Sequence, residues 1–222
     1  MSTERFEGLS MRDLDIRRAL RSYLRAQGES LIVEEMPICL GHTRVDLATV
    51  DQRLHGFEIK SQLDTLGRLQ SQLNDYGTVF DEITLVIGPK HLTGVMNELP
   101  TWCGILLAHR EEGEVRLEPF RRGGPNYHRD PLCLAQLLWR EEALGVLTRH
   151  GHDRGVRSKP RAALWERLAE RLELEDLAWE VREAMKLRGE TWRAAQRSLD
   201  LPRPLTTRRR RRRRRTTRRR AS

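Results

Sequence analysis

A chain of 222 residues, 38% hydrophobic and 33% charged, can bury one substantial core with a small second region beside it. It has no apolar run near the ~18 residues that a membrane span needs, and Met1 to Ser10 lacks the hydrophobic stretch of a signal peptide. The expectation is a soluble, cytoplasmic protein without a membrane partner. The net charge of +9 is unevenly placed, because Arg208–Arg215 and Arg218–Arg220 hold 11 arginines and leave residues 1–207 at −2.

In chain order, Ser10 and Asp13 read as a capping box that opens a helix over Arg12 to Gln27. Its apolar face is Leu14, Ile16, Leu20, Tyr23 and Leu24, and Gly28 stops it. Leu31-Ile32-Val33 predicts a first strand, running into Glu34-Glu35 and broken near Pro37. Val45 to Val50 and Leu54 to Lys60 alternate as two further strands. Leu66 to Phe80 predicts a helix with Leu66, Leu69, Leu73, Gly77 and Phe80 along one face, and Thr84 to Ile87 a buried strand stopped by Gly88-Pro89. A short helix near Leu92 to Leu99 follows, then strands at Gly104 to Ala108 and Val115 to Leu117 joined by a turn at Glu111 to Glu114.

These elements predict an α/β fold class, a mixed sheet flanked by helices and followed by a C-terminal helical region. The core is expected over residues 1–120, with a linker rich in Gly, Pro and charge over 121–131. Residues 132–200 read as helical, with helices at Leu132 to His150, Arg161 to Leu172 and Glu175 to Lys186. Residues 201–222 read as a disordered tail whose self-repelling arginines attract polyanions. Cys39, Cys103 and Cys133 lack zinc-ligand spacing and read as free thiols, and His150-Gly151-His152 as a polar turn.

The stretch that carries chemistry is Arg44-Val45-Asp46-Leu47 followed by Phe57-Glu58-Ile59-Lys60. Alternation puts Glu58 and Lys60 on one face of their strand and Phe57 and Ile59 on the other. A three-residue Asp51-Gln52-Arg53 loop would set Asp46 opposite Glu58, with Cβ atoms about 5 Å apart. Two carboxylates so placed repel each other unless a cation lies between them, and hard oxygen ligands favour Mg²⁺ or Mn²⁺. Such a metal polarises a phosphate oxygen and supplies a nucleophilic water for phosphodiester hydrolysis. A lysine two residues on can stabilise the charge that develops on the phosphoryl group. The competing reading of this short pattern is a salt-bridge ladder on an amphipathic hairpin.

A helix, an acidic residue on strand one, a hairpin bearing D and E-x-K, then a helix and a strand: over about residues 12–90 this order resembles the PD-(D/E)XK nuclease superfamily. The resemblance implies a restriction-endonuclease-like core with Asp46 and Glu58 as metal ligands, the Ile59 carbonyl as a third, and Lys60 as the catalytic lysine. Val45 stands where the motif's name places proline. The resemblance also implies an upstream acid, for which Glu34 and Glu35 compete, with Glu35 preferred. Gln72-Leu73-Asn74-Asp75-Tyr76 is similar to the Q-x-x-x-Y that follows E-x-K in RecB-like nucleases, which implies a part in the site for Gln72 and Tyr76. At i and i+4 these two share a helical side, with Tyr76 on the border of the apolar face and Gln72 further out.

Arg68, one turn before Gln72 and near Asp64, could take a phosphate bidentately. In the tail Arg208, Arg209, Arg210, Arg211, Arg212 and the arginines after them would neutralise DNA phosphates. Leu147 to Leu168 bears a slight likeness to a SAP-type DNA-binding hairpin, against which stands a plain helical cap. The expected function is therefore a Mg²⁺- or Mn²⁺-dependent DNA nuclease, and the alternative is a nuclease-fold nucleic-acid-binding protein without turnover. The intact D and E-x-K favour the enzyme, since a binder has no need of clustered acids facing a phosphate.

Overall fold

The computed structural model describes residues 11–28, 31–62, 64–96 and 99–189. Helix α1 (Asp13–Ala26) places Asp13 and Asp15 in its first turn and Arg25 in its last, matching the charges of the helix ends. Ile16, Leu20 and Leu24 are its buried stripe, whereas Leu14, expected on that face, is exposed. Its N-cap is Arg12, which makes no side-chain capping bond. Ser10 of the expected capping box lies outside the described residues.

Six strands follow: β1 (Ile32–Ile38), β2 (Thr43–Val50), β3 (Leu54–Lys60), β4 (Glu82–Ile87), β5 (Cys103–Glu111) and β6 (Glu114–Arg121). They form one sheet in sequence order. Strands β1 to β3 are antiparallel, β3, β4 and β5 run parallel, and β6 returns antiparallel to β5. The parallel pairs need crossovers, and helices α2 (Leu69–Gly77) and α3 (Leu92–Met96) lie within them. Strand β1 does not break at Pro37, which pairs with Arg44 in register. As an edge strand it has ladder bonds on one side only, so the missing N–H of a proline is tolerated.

The two faces of the sheet are covered differently. On one, Leu47, Phe57, Ile59, Val86, Leu106 and Ala108 pack with Ile16, Leu20 and Leu24 of α1. On the other, α2 joins the C-terminal helices α4 (Pro131–Ala135), α5 (Arg140–Arg149), α6 (Arg161–Arg171) and α7 (Leu174–Arg188) in a larger core. The single helix expected from Leu132 to His150 is two, because Trp139 is extended (ψ 163°) and caps a new start. Its N–H donates to Glu142, 2.7 Å away. Gly56 on β3 admits this layer closely, since a Cβ there would lie 2.5 Å from Ile83 and 3.2 Å from the Phe80 ring just beyond α2.

Where the sequence suggests a linker, residues 122–130 form no helix or strand, yet they lie against the end of α2. Buried Asn126 donates to the carbonyls of Gly77 and Phe80 at 2.7 and 2.8 Å. The Asp130 N–H donates to the Thr78 carbonyl at 2.9 Å, and Arg129 pairs with Asp81. These bonds seat the C-terminal helices on the sheet, and all the described residues fall in one compact unit. Cys39, Cys103 and Cys133 are free thiols. No helix among the described residues is long and apolar enough to cross a membrane.

Candidate active site

Strands β2 and β3 pair as Leu47↔Phe57, Ala48↔Gly56, Thr49↔His55 and Val50↔Leu54, the expected register. The ladder stops at Leu47 and Phe57, one step short of Asp46 and Glu58. There the strands part, and the Asp46 carboxylate takes over from the β2 backbone by accepting the Ile59 N–H at 2.8 Å. On the other side, Glu34 pairs with Leu47 and Met36 with Val45, which sets Glu35 level with Asp46. Glu35 breaks the regular strand with φ of 51°. Acids from three neighbouring strands thus stand in one row.

Glu58 points to the α2 side, and its side chain is 4% exposed. Burial of a charged carboxylate demands donors, and three side chains supply them. Lys60 Nζ lies 2.7 Å from Oε1, Gln72 Nε2 donates to the same oxygen at 2.8 Å, and the Tyr76 hydroxyl donates to Oε2 at 2.6 Å. Lys60 also donates to Gln72 Oε1 at 3.0 Å, and the Tyr76 oxygen lies 3.1 Å from the Arg44 carbonyl. Gln72 and Tyr76 therefore meet E-x-K through Glu58. Tyr76 is fully buried rather than on the border of the apolar face, because α2 turns this side towards the sheet, where the hydroxyl meets Glu58 of β3 and the Arg44 carbonyl of β2. Its phenol is pushed above the ordinary tyrosine range, by burial first and then by the Glu58 charge.

Asp46 is held less comfortably. Burial and the charge of Glu58 push its carboxyl up to about 6, against the lowering effects of the Ile59 N–H and Arg17. Arg17 is a member of this cluster that no motif signals. From α1 its guanidinium reaches Asp46 Oδ1 at 2.8 Å, the Asp46 carbonyl at 3.0 Å and Glu35 Oε1 at 2.9 Å. Arg44 takes the other oxygen of Glu35 at 3.1 Å. Glu34 turns instead to Arg21, 2.6 Å away. Of the two competing upstream acids, Glu35 is the one tied to Asp46. Arg68 is exposed at the start of α2, and Asp64 accepts the Ser61 N–H at 2.7 Å just after Lys60. Arg208 to Arg212 lie outside the described residues.

The donor set suits a hard divalent cation. An ionised carboxylate offers about four lone-pair sites. Each Asp46 oxygen accepts one side-chain or main-chain donor here, and Glu58 Oε2 accepts one, which leaves room for further contacts. Among the described residues no group of three or more His, Cys, Asp or Glu is placed to hold a metal. A cation at this site would rest on Asp46, Glu58, the Ile59 carbonyl and water, a ligand set of the kind Mg²⁺ takes.

The profile of a family described as bacteriophage P4 protein cII matches residues 14–205. The chain belongs to this family. Protein cII of Enterobacteria phage P4 is 26% identical over 144 residues, covering 64% of this chain and 54% of that protein. The chain thus spans about half the length of this curated relative. Among solved structures, the SPO1766 protein of unknown function from Silicibacter pomeroyi covers 52% of this chain and 76% of its own, at 20% identity and a TM-score of 0.37. The stretch matched by the cII family contains Arg17, Glu35, Asp46, Glu58, Lys60, Gln72 and Tyr76, and it ends before the arginine run that begins at Arg208.

Proposed function

We propose that this cII-family chain is a metal-dependent nuclease of the PD-(D/E)XK type, acting on DNA phosphodiester bonds in the cytoplasm. The observation that supports it most is the cradle around Glu58. Lys60 from the same strand and Gln72 and Tyr76 from α2 converge on one buried carboxylate, next to Asp46. A salt-bridge ladder on a hairpin surface has no use for a carboxylate that is 4% exposed and held by three donors. A bound Mg²⁺ or Mn²⁺ supplies a polarised phosphate oxygen and a water of lowered pKa. Asp46 and Glu58 would hold it with the Ile59 carbonyl. The Lys60 ammonium stabilises negative charge gathering on the phosphoryl oxygens. Gln72 and Tyr76 keep Glu58 in place, and Arg68, exposed one turn before Gln72, takes a phosphate outside the reacting bond.

The test is incubation of the full chain with single- and double-stranded DNA in Mg²⁺ or Mn²⁺, with EDTA as the control. Cleavage that EDTA abolishes is expected. Binding without cleavage in either metal would favour a second reading, a nuclease-fold DNA-binding protein. One observation favours that reading: all four oxygens of Asp46 and Glu58 already accept donors from the protein.

Gln72→Ala and Tyr76→Phe are expected to slow cleavage by about 10- to 100-fold, because each loosens Glu58 from its position. Tyr76→Phe keeps the ring, which meets Phe80 edge-on with centroids 6.1 Å apart, and costs stability about 1–3 kcal/mol for the lost buried bond. A Tyr76→Phe protein that melts earlier and cleaves at the normal rate would make the tyrosine a packing residue only. For the tail, removal of residues 208–222 should weaken DNA binding most at low salt and leave the saturated rate unchanged. Each phosphate neutralised steepens the slope of log K against log salt by about 0.9, so truncation flattens it by several units. Equal slopes for the full and truncated chains would make the tail inert.

A further inference from the structure

The cluster contains a cation already. Arg17 is 12% exposed and its three nitrogens face three carboxylates. Nε lies 3.2 Å from Asp13, one terminal nitrogen 2.9 Å from Glu35, and the other 2.8 Å from Asp46. Asp13 is on its own helix, while Glu35 and Asp46 stand level on β1 and β2. An arginine whose only task was to pin α1 to the hairpin could do so through the Asp46 carbonyl, which it also reaches at 3.0 Å. Beyond that bond, it takes one oxygen from each of two acids in the row that ends at Glu58. The next arginine along the helix behaves differently: Arg21 takes Glu34, away from the row, with its side chain 41% exposed.

We propose that Arg17 is a built-in counter-ion occupying the divalent cation's side of the site, and that a metal must displace it from Asp46 and Glu35 in order to bind. Released by Arg17, Glu35 keeps Arg44 on one oxygen and turns the other to the metal as the upstream acid, and the freed guanidinium stays beside the acids. The acids are thereby neutralised in the resting protein, and metal entry is a contest between two cations for the same oxygens. Two like charges within a few ångströms oppose each other even at the protein surface, so Arg17 lowers the resting affinity for metal. This inference rests on the metal-dependent reading of the site.

The test uses the full chain without DNA, so that it reads the metal and not turnover. Wild type, Arg17→Gln, Arg17→Lys and Arg21→Gln are titrated with MnCl₂ by calorimetry and melted with and without Mn²⁺. Arg17→Gln is expected to bind Mn²⁺ about tenfold or more tightly than wild type, and to gain more in melting temperature from it. Arg17→Lys keeps the charge and Arg21→Gln removes one away from the row, so both should stay near the wild-type affinity. Should Arg17→Gln fail to fold without metal, refolding on added Mn²⁺, followed by circular dichroism, shows the same replacement of one cation by another. A variant that stays unfolded at saturating Mn²⁺ overturns the proposal. Equal or weaker Mn²⁺ binding by Arg17→Gln also overturns it and reduces Arg17 to a structural clamp, while leaving the nuclease reading intact. If no protein in the set binds Mn²⁺ and wild type cleaves nothing, both fall.

Discussion

Asp46→Asn and Glu58→Gln are each expected to lower metal-dependent cleavage by about 10³-fold or more, because each takes a ligand charge from the cation that activates water and phosphate. Each changes little volume, so both proteins should fold. Their stabilities should differ in character. Glu58 is satisfied by Lys60, Gln72 and Tyr76, and an amide in its place turns a donor towards one of those donors, costing about 1–3 kcal/mol. Asp46 has a carboxyl raised from 3.8 to about 6 by burial and Glu58. With a folded pKa above the unfolded one, the native state holds more protons between those values, and this group's contribution to stability falls as pH rises through that window. Asp46→Asn removes the titration. Between pH 4 and pH 7 its stability relative to wild type should therefore shift in the variant's favour by about 2 kcal/mol. Melting curves across that range check the sign, and cleavage assays check the chemistry. Retained cleavage in both variants would end the assignment of the metal site.

Lys60→Ala is expected to lower turnover by about 10²- to 10³-fold, the usual cost of losing one charge-stabilising donor, while divalent cation binding survives. The reason lies in the geometry. Lys60 Nζ sits 2.7 Å from Glu58 Oε1 and 3.0 Å from Gln72 Oε1, and an ammonium has no lone pair to offer a metal. Without it, Gln72 and Tyr76 still fix Glu58. Calorimetry that finds Mn²⁺ affinity lost together with a normal cleavage rate would contradict this role for Lys60. Unchanged turnover with unchanged affinity would make Lys60 a plain counter-ion to a buried glutamate.

The sequence by itself determined the elements whose cause is local. The alternation from Leu54 to Lys60 and the Asp51-Gln52-Arg53 turn yield β3 with its bounds as expected and the register with β2. The hairpin's twofold repeat puts Glu58 and Lys60 on one face, and the i, i+4 spacing of Gln72 and Tyr76 puts both on one side of α2. The mixed order of strands and helices was legible for the same reason. Tertiary structure decided what local pattern cannot encode. Pro37 stays in β1 because that strand is an edge, which depends on what lies beside it. Tyr76 is buried because α2 docks that side onto the sheet, where its hydroxyl meets Glu58 and the Arg44 carbonyl. Arg17 meets Asp46 across 29 residues of sequence, and nothing in the periodicity of α1 marks it apart from Arg18 or Arg21. Periodicity reports which residues of one element share a side. Where that side is docked, and hence which charges meet, follows from the packing of the whole chain.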